Sequence, residues 1–143
     1  KDTSKTTESN PGGMFTVEMI DVNRDGFLDL LIGGHEFEGY ATKILYGDNT
    51  GVFGHTETVL PGVPNSGIIV DFTMSENKLY VDRVIDPTGG PGFYNGYTVQ
   101  SIDMQTMIST VVDTKFGNWI PWFTPKSTGI TPYTKTYGTF VLQ

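Results

Sequence analysis

The chain reads as an all-β protein, and three observations say so. Apolar residues come in runs of four to seven, separated by Gly, Pro, Asn and Asp, which is the pattern of strands and turns. Threonine occurs 20 times and alanine once, at Ala41, among 18 glycines and 8 prolines. Helices favour Ala and disfavour Gly, Pro and Thr, whereas strands accept Thr, Val, Ile and aromatics. No window of about ten residues carries a 3.6-residue apolar period.

Taken in order, the apolar runs predict strands at Phe15–Asp21, Phe27–Gly33, Thr42–Gly47 and Thr56–Leu60. A second set falls at Ile68–Met74, Lys78–Val84, Tyr97–Asp103 and Ile108–Asp113, and a shorter one at Trp119–Phe123 and Tyr137–Leu142. The two four-strand sets align as one unit used twice. Leu28 maps to Leu79 and Leu30 to Val81 at an offset of 51, and Val59 to Val111 at 52. Tyr40 maps to Tyr97 at 57, the longer step being absorbed by the loop Pro87–Asn95, and Ile68 continues toward Trp119 or Ile120. Four strands per ~40–50 residues is the period of a β-propeller blade; a β-sandwich with coincidental spacing is the alternative. The expected architecture is therefore four-stranded antiparallel β-propeller-type blades, about two and a half repeats. Blade 1 covers 13–62, a degenerate blade 2 covers 63–114 and a partial blade 3 covers 115–143. The polar, Thr/Ser-rich stretch 1–12 reads as a flexible lead.

Length and charge exclude several functions. A chain of 143 residues has room for one ordinary domain. Nine basic against 16 acidic residues leave a net charge of −7, which disfavours nucleic acid and anionic membrane surfaces as partners. No apolar run reaches the ~20 residues of a membrane span. Without cysteine, disulfides, thiol catalysis and thiolate metal sites are out. The first residue is Lys1 and not Met, so a processed product or excised piece is expected.

The sharpest feature is Asp21-Val22-Asn23-Arg24-Asp25-Gly26-Phe27-Leu28-Asp29. Side-chain oxygens fall at positions 1, 3, 5 and 9 of a loop, with Gly26 at position 6. Calcium takes six to eight oxygens at ~2.3–2.6 Å, and alternate residues of a tight loop can turn theirs onto one point. Gly26 permits the sharp bend, and the Phe27 carbonyl supplies a further ligand. The predicted Ca2+ ligands are Asp21, Asn23, Asp25, Phe27 and Asp29. An EF-hand requires Glu at position 12, where this chain has Ile32, and the flanks read as strands. The alternative without metal is an Asp/Asn-rich hairpin turn held by side-chain-to-backbone hydrogen bonds.

The stretches DVNRDGFLDLLIGG (Asp21–Gly34) and LYGDNTGVFGHTETVL (Leu45–Leu60) resemble an FG-GAP/VCBS repeat, the blade unit of integrin-α-like β-propellers. The resemblance covers about 13–62 well and 67–143 weakly. It implies a calcium loop between the first and second strands of a blade, on the five positions just named. The second unit departs from the pattern, because Met74-Ser75-Glu76-Asn77 is too short and too poor in acids for calcium. Closed propellers of that family need more chain than this. A piece of a longer propeller, a ring closed by several copies and a non-propeller fold with one blade-like unit all remain open.

Trp119 and Trp122, in the cluster Trp119–Phe123, and Phe93 and Tyr94, in a glycine-rich loop, are candidate ligand-binding aromatics, since aromatic faces stack on sugars and loops carry binding residues. Core packing and a plain connector are the competing roles. His35 and His55 belong to no spaced metal cluster. Glu36 and Glu38 read as a solvated strand end, and Asp82, Arg83 and Asp86 as a surface ion pair. No nucleophile elbow, phosphate loop or zinc-protease motif occurs.

These readings converge on a non-enzymatic module that binds glycan or protein partners outside the cell or on its surface, the periplasm included, with calcium structural. A three-charge loop fills where calcium is near millimolar, outside the cytoplasm. A structural subunit that associates through open sheet edges into a homo-oligomer is the second expectation. A non-catalytic fragment of a polysaccharide-degrading enzyme is the third.

Overall fold

A computed structural model describes residues 14–85, 96–116, 123–124 and 134–135. Within them the protein is all-β. Two four-stranded antiparallel sheets form in sequence order, β1-β2-β3-β4 and β5-β6-β7-β8. The first holds β1 (Met14–Ile20), β2 (Asp29–Gly34), β3 (Lys43–Leu45) and β4 (Glu57–Val59). The second holds β5 (Ile68–Ser75), β6 (Lys78–Val84), β7 (Gly96–Asp103) and β8 (Ser109–Phe116). A short pair, β9 (Phe123–Thr124) and β10 (Thr134–Lys135), follows, and β9 comes alongside β5. The only helical element among the described residues is a single 3-10 turn at Glu36–Glu38. None is long and apolar enough to cross a membrane.

The repeated strand-strand-strand-strand unit is thus present as two antiparallel meanders, and its first eight strands fall where the apolar runs place them. Two details differ. Phe27 and Leu28 belong to the β1–β2 loop and not to β2, which starts at Asp29. The offset of 51 pairs Leu30 with Val81, yet Leu31, not Leu30, packs in the core with Val81. Side chains alternate along a strand, so an odd slip of register exchanges its faces. The strand expected at Trp119–Phe123 lies outside the described residues up to Phe123, and that at Tyr137–Leu142 lies wholly outside them. So do the lead 1–12 and the loop Pro87–Asn95.

One core joins the two sheets. Ile20, Val22, Leu31 and Ile44 from the first unit meet Ile69, Phe72, Met74, Leu79, Val81 and Ile102 from the second. Each buried Leu, Ile or Phe is worth roughly 1.5–3 kcal/mol over the exposed side chain. Along β5, Ile69 and Phe72 both enter this core at a spacing of three. A bulge between Ile69 and Asp71 makes that phase change, and Ile68 and Val70 pack with Val84 in a separate cluster. Contact between the sheets is closest where β5 lies against β1 and β2. There a Cβ on Gly33 would stand 2.7 Å from both Ile69 Cγ2 and Thr16 Cγ2. Only a residue without a side chain lets β2 approach β5 this closely, which explains the small residue after the apolar Leu31-Ile32 pair.

Polar contacts finish the joint. His35 bridges Ile68, and the Glu36 N–H donates to the Gly67 carbonyl at 2.7 Å. Arg83 lies on the same face of β6 as Leu79 and Val81 and is completely buried. Its guanidinium donates to Glu36 Oε1 (2.8 Å), to Gln100 Oε1 (2.8 Å), and to the Ser66 (3.0 Å) and Pro61 (3.1 Å) carbonyls. Gln100 in turn donates to the Pro61 carbonyl and Ser109 Oγ, both at 2.8 Å. These bonds correct two expectations. Arg83 and Asp82 are interior residues and not a surface ion pair, and Glu36 is the partner of Arg83 across the seam and not part of a solvated strand end. Asp86 lies outside the described residues.

Candidate metal centre

The acidic loop spans the eight residues between Ile20 and Asp29 and joins β1 to β2 directly. Ile20 and Val22 turn into the core, which anchors the loop entrance. Its exit is fixed by Asp29, the first residue of β2 and fully buried. Asp29 Oδ2 accepts the Val22 N–H at 2.8 Å, and Oδ1 accepts the Gly47 N–H at 3.0 Å. One carboxylate therefore ties the end of β1, the start of β2 and the residues beyond β3.

Between these anchors the side chains at alternate positions face inward. Asp21 Oδ1 and Asn23 Oδ1 both accept the Asp25 N–H, at 3.1 and 3.3 Å. Asp21 Oδ2 accepts the Gly26 N–H at 2.9 Å. Asp25 Oδ1 accepts the Phe27 N–H at 2.9 Å, and Asn23 Nδ2 donates to Asp25 Oδ2 at 3.1 Å. Arg24 and Gly26 take positive φ, 60° and 93°. A Cβ on Gly26 would meet nothing within 4 Å, so glycine is required there by the left-handed backbone and not by space.

The electrostatics follow from this packing. The Asp29 carboxyl is held above the usual carboxylate range, first by burial and further by the charges of Asp25 and Asp21. Its bonds to the Gly47 and Val22 N–H groups act in the opposite direction. Three acids thus repel one another across a short loop.

The donors are all oxygen, three carboxylates and one amide, which suits calcium and not a thiolate- or imidazole-seeking metal. Asp21, Asn23 and Asp25 fit by position, since their oxygens converge on one set of N–H groups. Asp29 is placed differently, because it is fully buried and its oxygens accept the Val22 and Gly47 N–H groups, outside that set. Phe27 sits at the loop exit with its ring exposed. Among the described residues no three His, Asp or Glu side chains stand gathered as a ready metal cluster. The carboxylates hold the loop's own N–H groups instead.

The equivalent connection of the second sheet, β5 to β6, is the two-residue turn Glu76-Asn77. It matches the expectation that this unit has no such loop. No family model, curated protein or solved structure matches this chain. The case for a cation therefore stands on the geometry of the loop.

The remaining candidates divide. Trp119, Trp122, Phe93 and Tyr94 lie outside the described residues. His35 Nδ1 pairs with Glu38 Oε1 at 2.9 Å, and His55 Nδ1 with Asp48 Oδ2 at 2.7 Å, both on the surface. What the sequence does not announce is the buried Arg83–Glu36 pair. Its one visible signal is that charged residues, Asp82 and Arg83, interrupt the apolar run Leu79–Ile85, where a strand buried on both faces requires each to find a partner.

Proposed function

We propose that this chain is a calcium-binding, β-propeller-type recognition module of the extracellular space or cell surface, in which the ion is structural and the partner is a glycan or a protein. The observation that carries the reading is the strand-to-strand acidic loop. Asp21, Asn23 and Asp25 turn their oxygens inward between two core anchors, with Gly26 supplying the bend. The two successive four-stranded meanders support the blade arrangement. A bound cation would neutralise the mutual repulsion of Asp21, Asp25 and Asp29 and hold the loop closed.

Native mass spectrometry in calcium, repeated after chelation, tests this reading. One calcium per chain is expected, lost on chelation and lost in Asp25→Ala. Asp25→Ala should also abolish any rise of the melting temperature with calcium. Unchanged calcium binding in Asp25→Ala would place the ion elsewhere and end this assignment.

The exposed β8 favours a second reading, an assembly subunit. It is eight residues long and pairs only with β7 among the described strands, and its outer residues Val111, Val112 and Phe116 are exposed. The same spectra discriminate, since assembly predicts a multimer whose mass depends on protein concentration.

A further inference from the structure

The acidic loop and the β3–β4 connection lean together and leave a hollow of about 290 Å3 between them. Its apolar lining is Met19, Phe27, Leu28 and Phe53, and among the described residues Asp48 is the one charged residue that lines it. All four apolar walls are exposed. Gly47 sits where β3 runs into the hollow, and a Cβ there would stand 2.0 Å from the Leu28 carbonyl oxygen and 3.2 Å from the Phe53 ring. The two loops are thus packed backbone to backbone, and Phe53 is laid over that contact. Asp29, accepting from both Val22 and Gly47, fixes the same junction from below.

We propose that this hollow receives a lysine side chain of a partner protein, its methylenes between Phe27, Leu28 and Phe53 and its ammonium on the Asp48 carboxylate. The proposal deepens the recognition reading above by naming the protein as partner and the group it presents.

Charge complementarity selects the occupant. No basic residue lines the hollow, the acidic loop contributes Gly26 to it, and the whole chain carries −7. An aromatic face attracts an ammonium ion electrostatically, and lysine presents an apolar stem with a charged tip, matching an apolar lining that includes one carboxylate. Asp48 is built to stay an anion. Its Oδ1 accepts from the Thr50 N–H (2.8 Å) and the Thr50 hydroxyl, and its Oδ2 pairs with His55 Nδ1 at 2.7 Å. The hydrogen bonds from the Thr50 side chain and N–H, followed by that from His55, lower its pKa to about 2. The carboxylate is also held in place by these bonds, so a ligand meets a preorganised acceptor. A glycan without free amino sugars offers no cation for it.

Backbone amide shifts in a 15N–1H NMR titration test the proposal, with Nα-acetyl-lysine methylamide as probe and its norleucine analogue as the uncharged control. The lysine probe should move the amides of Phe27, Gly47, Asp48 and Phe53 saturably, while the norleucine probe should bind at least about fivefold more weakly. Phe53→Leu should weaken the lysine probe about two- to fivefold, the range of an exposed cation–aromatic contact. Asp48→Asn should remove the preference for lysine over norleucine. Equal binding of the two probes to the wild type would reduce the hollow to an apolar depression and overturn the proposal. So would lysine-induced shifts spread over the acidic surface with no cluster at these four amides. A chain that binds no calcium yet holds the lysine probe here fails the metal reading and keeps this one.

Discussion

In the first sheet the β1–β2 connection is eight residues long and holds both of its acids, Asp21 and Asp25, in a loop of side-chain-to-backbone hydrogen bonds. In the second, the same connection is the two-residue turn Glu76-Asn77. Burial runs the other way. Every residue of β5 is buried and all but the first of β6, whereas β1 alternates between half-buried and exposed positions from Thr16 to Met19, and β3 and β4 are three residues each. The same meander is therefore stabilised by different means. The second sheet rests on removal of apolar surface from water. The first combines a narrower apolar face with local polar bonds at its turn, where the proposed cation would add free energy. The unit with least apolar burial to stabilise it is the unit free to carry a site.

The joint between the sheets is where that comparison breaks most visibly. Arg83→Ala removes the cation opposite Glu36 and the donor to the Ser66 carbonyl, while the Pro61 carbonyl keeps only its bond from Gln100. Breaking a buried pair from one side costs about 3–5 kcal/mol, so urea unfolding should show a large fall in midpoint. Replacing both ends, Arg83→Met with Glu36→Gln, should recover much of the loss, because the uncompensated charge is gone. If Arg83→Ala unfolds at the wild-type midpoint, the two sheets are held by the apolar core alone. Gly33→Ala acts at the same seam with a smaller effect. Its new methyl group collides with Ile69 and Thr16 at 2.7 Å, an overpacking cost of about 1–3 kcal/mol. Chemical denaturation with and without calcium should show the same loss in both, since the clash lies between sheets and away from the acidic loop.

The two meanders were legible because their signal is local. Apolar runs between Gly, Pro, Asn and Asp set eight strands, and the acid spacing from Asp21 to Asp29 set the loop. The register was not, since Leu30 and Leu31 are chemically alike and only the partner sheet decides which one turns inward. The bulge at Ile69–Asp71 is hidden for the same reason: nothing in Ile-Ile-Val-Asp-Phe states that two inward residues stand three apart. Arg83 was misread because its partner Glu36 is 47 positions away and joins it only once the sheets are packed. Asp29 shows the limit within a motif. Spacing marks it as an oxygen ligand, whereas its burial and its bonds to Val22 and Gly47 come from β1 and β3 together.

A smaller difference between the sheets appears at alkaline pH. Tyr97, on β7, is buried and its hydroxyl donates to Asp113 Oδ2 at 3.2 Å. Burial first, and the Asp113 charge second, push the phenol up to about 12. Since the folded pKa lies above the ordinary value of 10.0, the neutral form is favoured by folding. That stability is fully present below pH 10 and is lost as pH rises from there through about 12. The melting temperature should decline over that interval, and the decline should be shallower in Tyr97→Phe. Equal slopes for the two proteins would remove Tyr97 from the alkaline transition.

The finest contrast lies in the two strand connections themselves. Gly26 and Glu76 both sit at positive φ, 93° and 55°, one in the acidic loop and the other in the tight β5–β6 turn. A side chain in the left-handed region costs about 1–2 kcal/mol, and glycine escapes that cost but loses more backbone entropy on folding. The substitutions should therefore have opposite signs. Gly26→Ala introduces the strain and destabilises, although open space surrounds the new methyl group. Glu76→Gly relieves it and leaves a net gain of no more than about 1 kcal/mol, within reach of paired denaturation curves. Calcium sharpens the test, because an ion held by Asp21, Asn23 and Asp25 requires the bend at Gly26 and is indifferent to Glu76. Gly26→Ala should then lose more stability in calcium than in chelator, whereas Glu76→Gly should shift both curves equally. Equal losses for Gly26→Ala in the two conditions would mean that the loop keeps its shape without help from an ion.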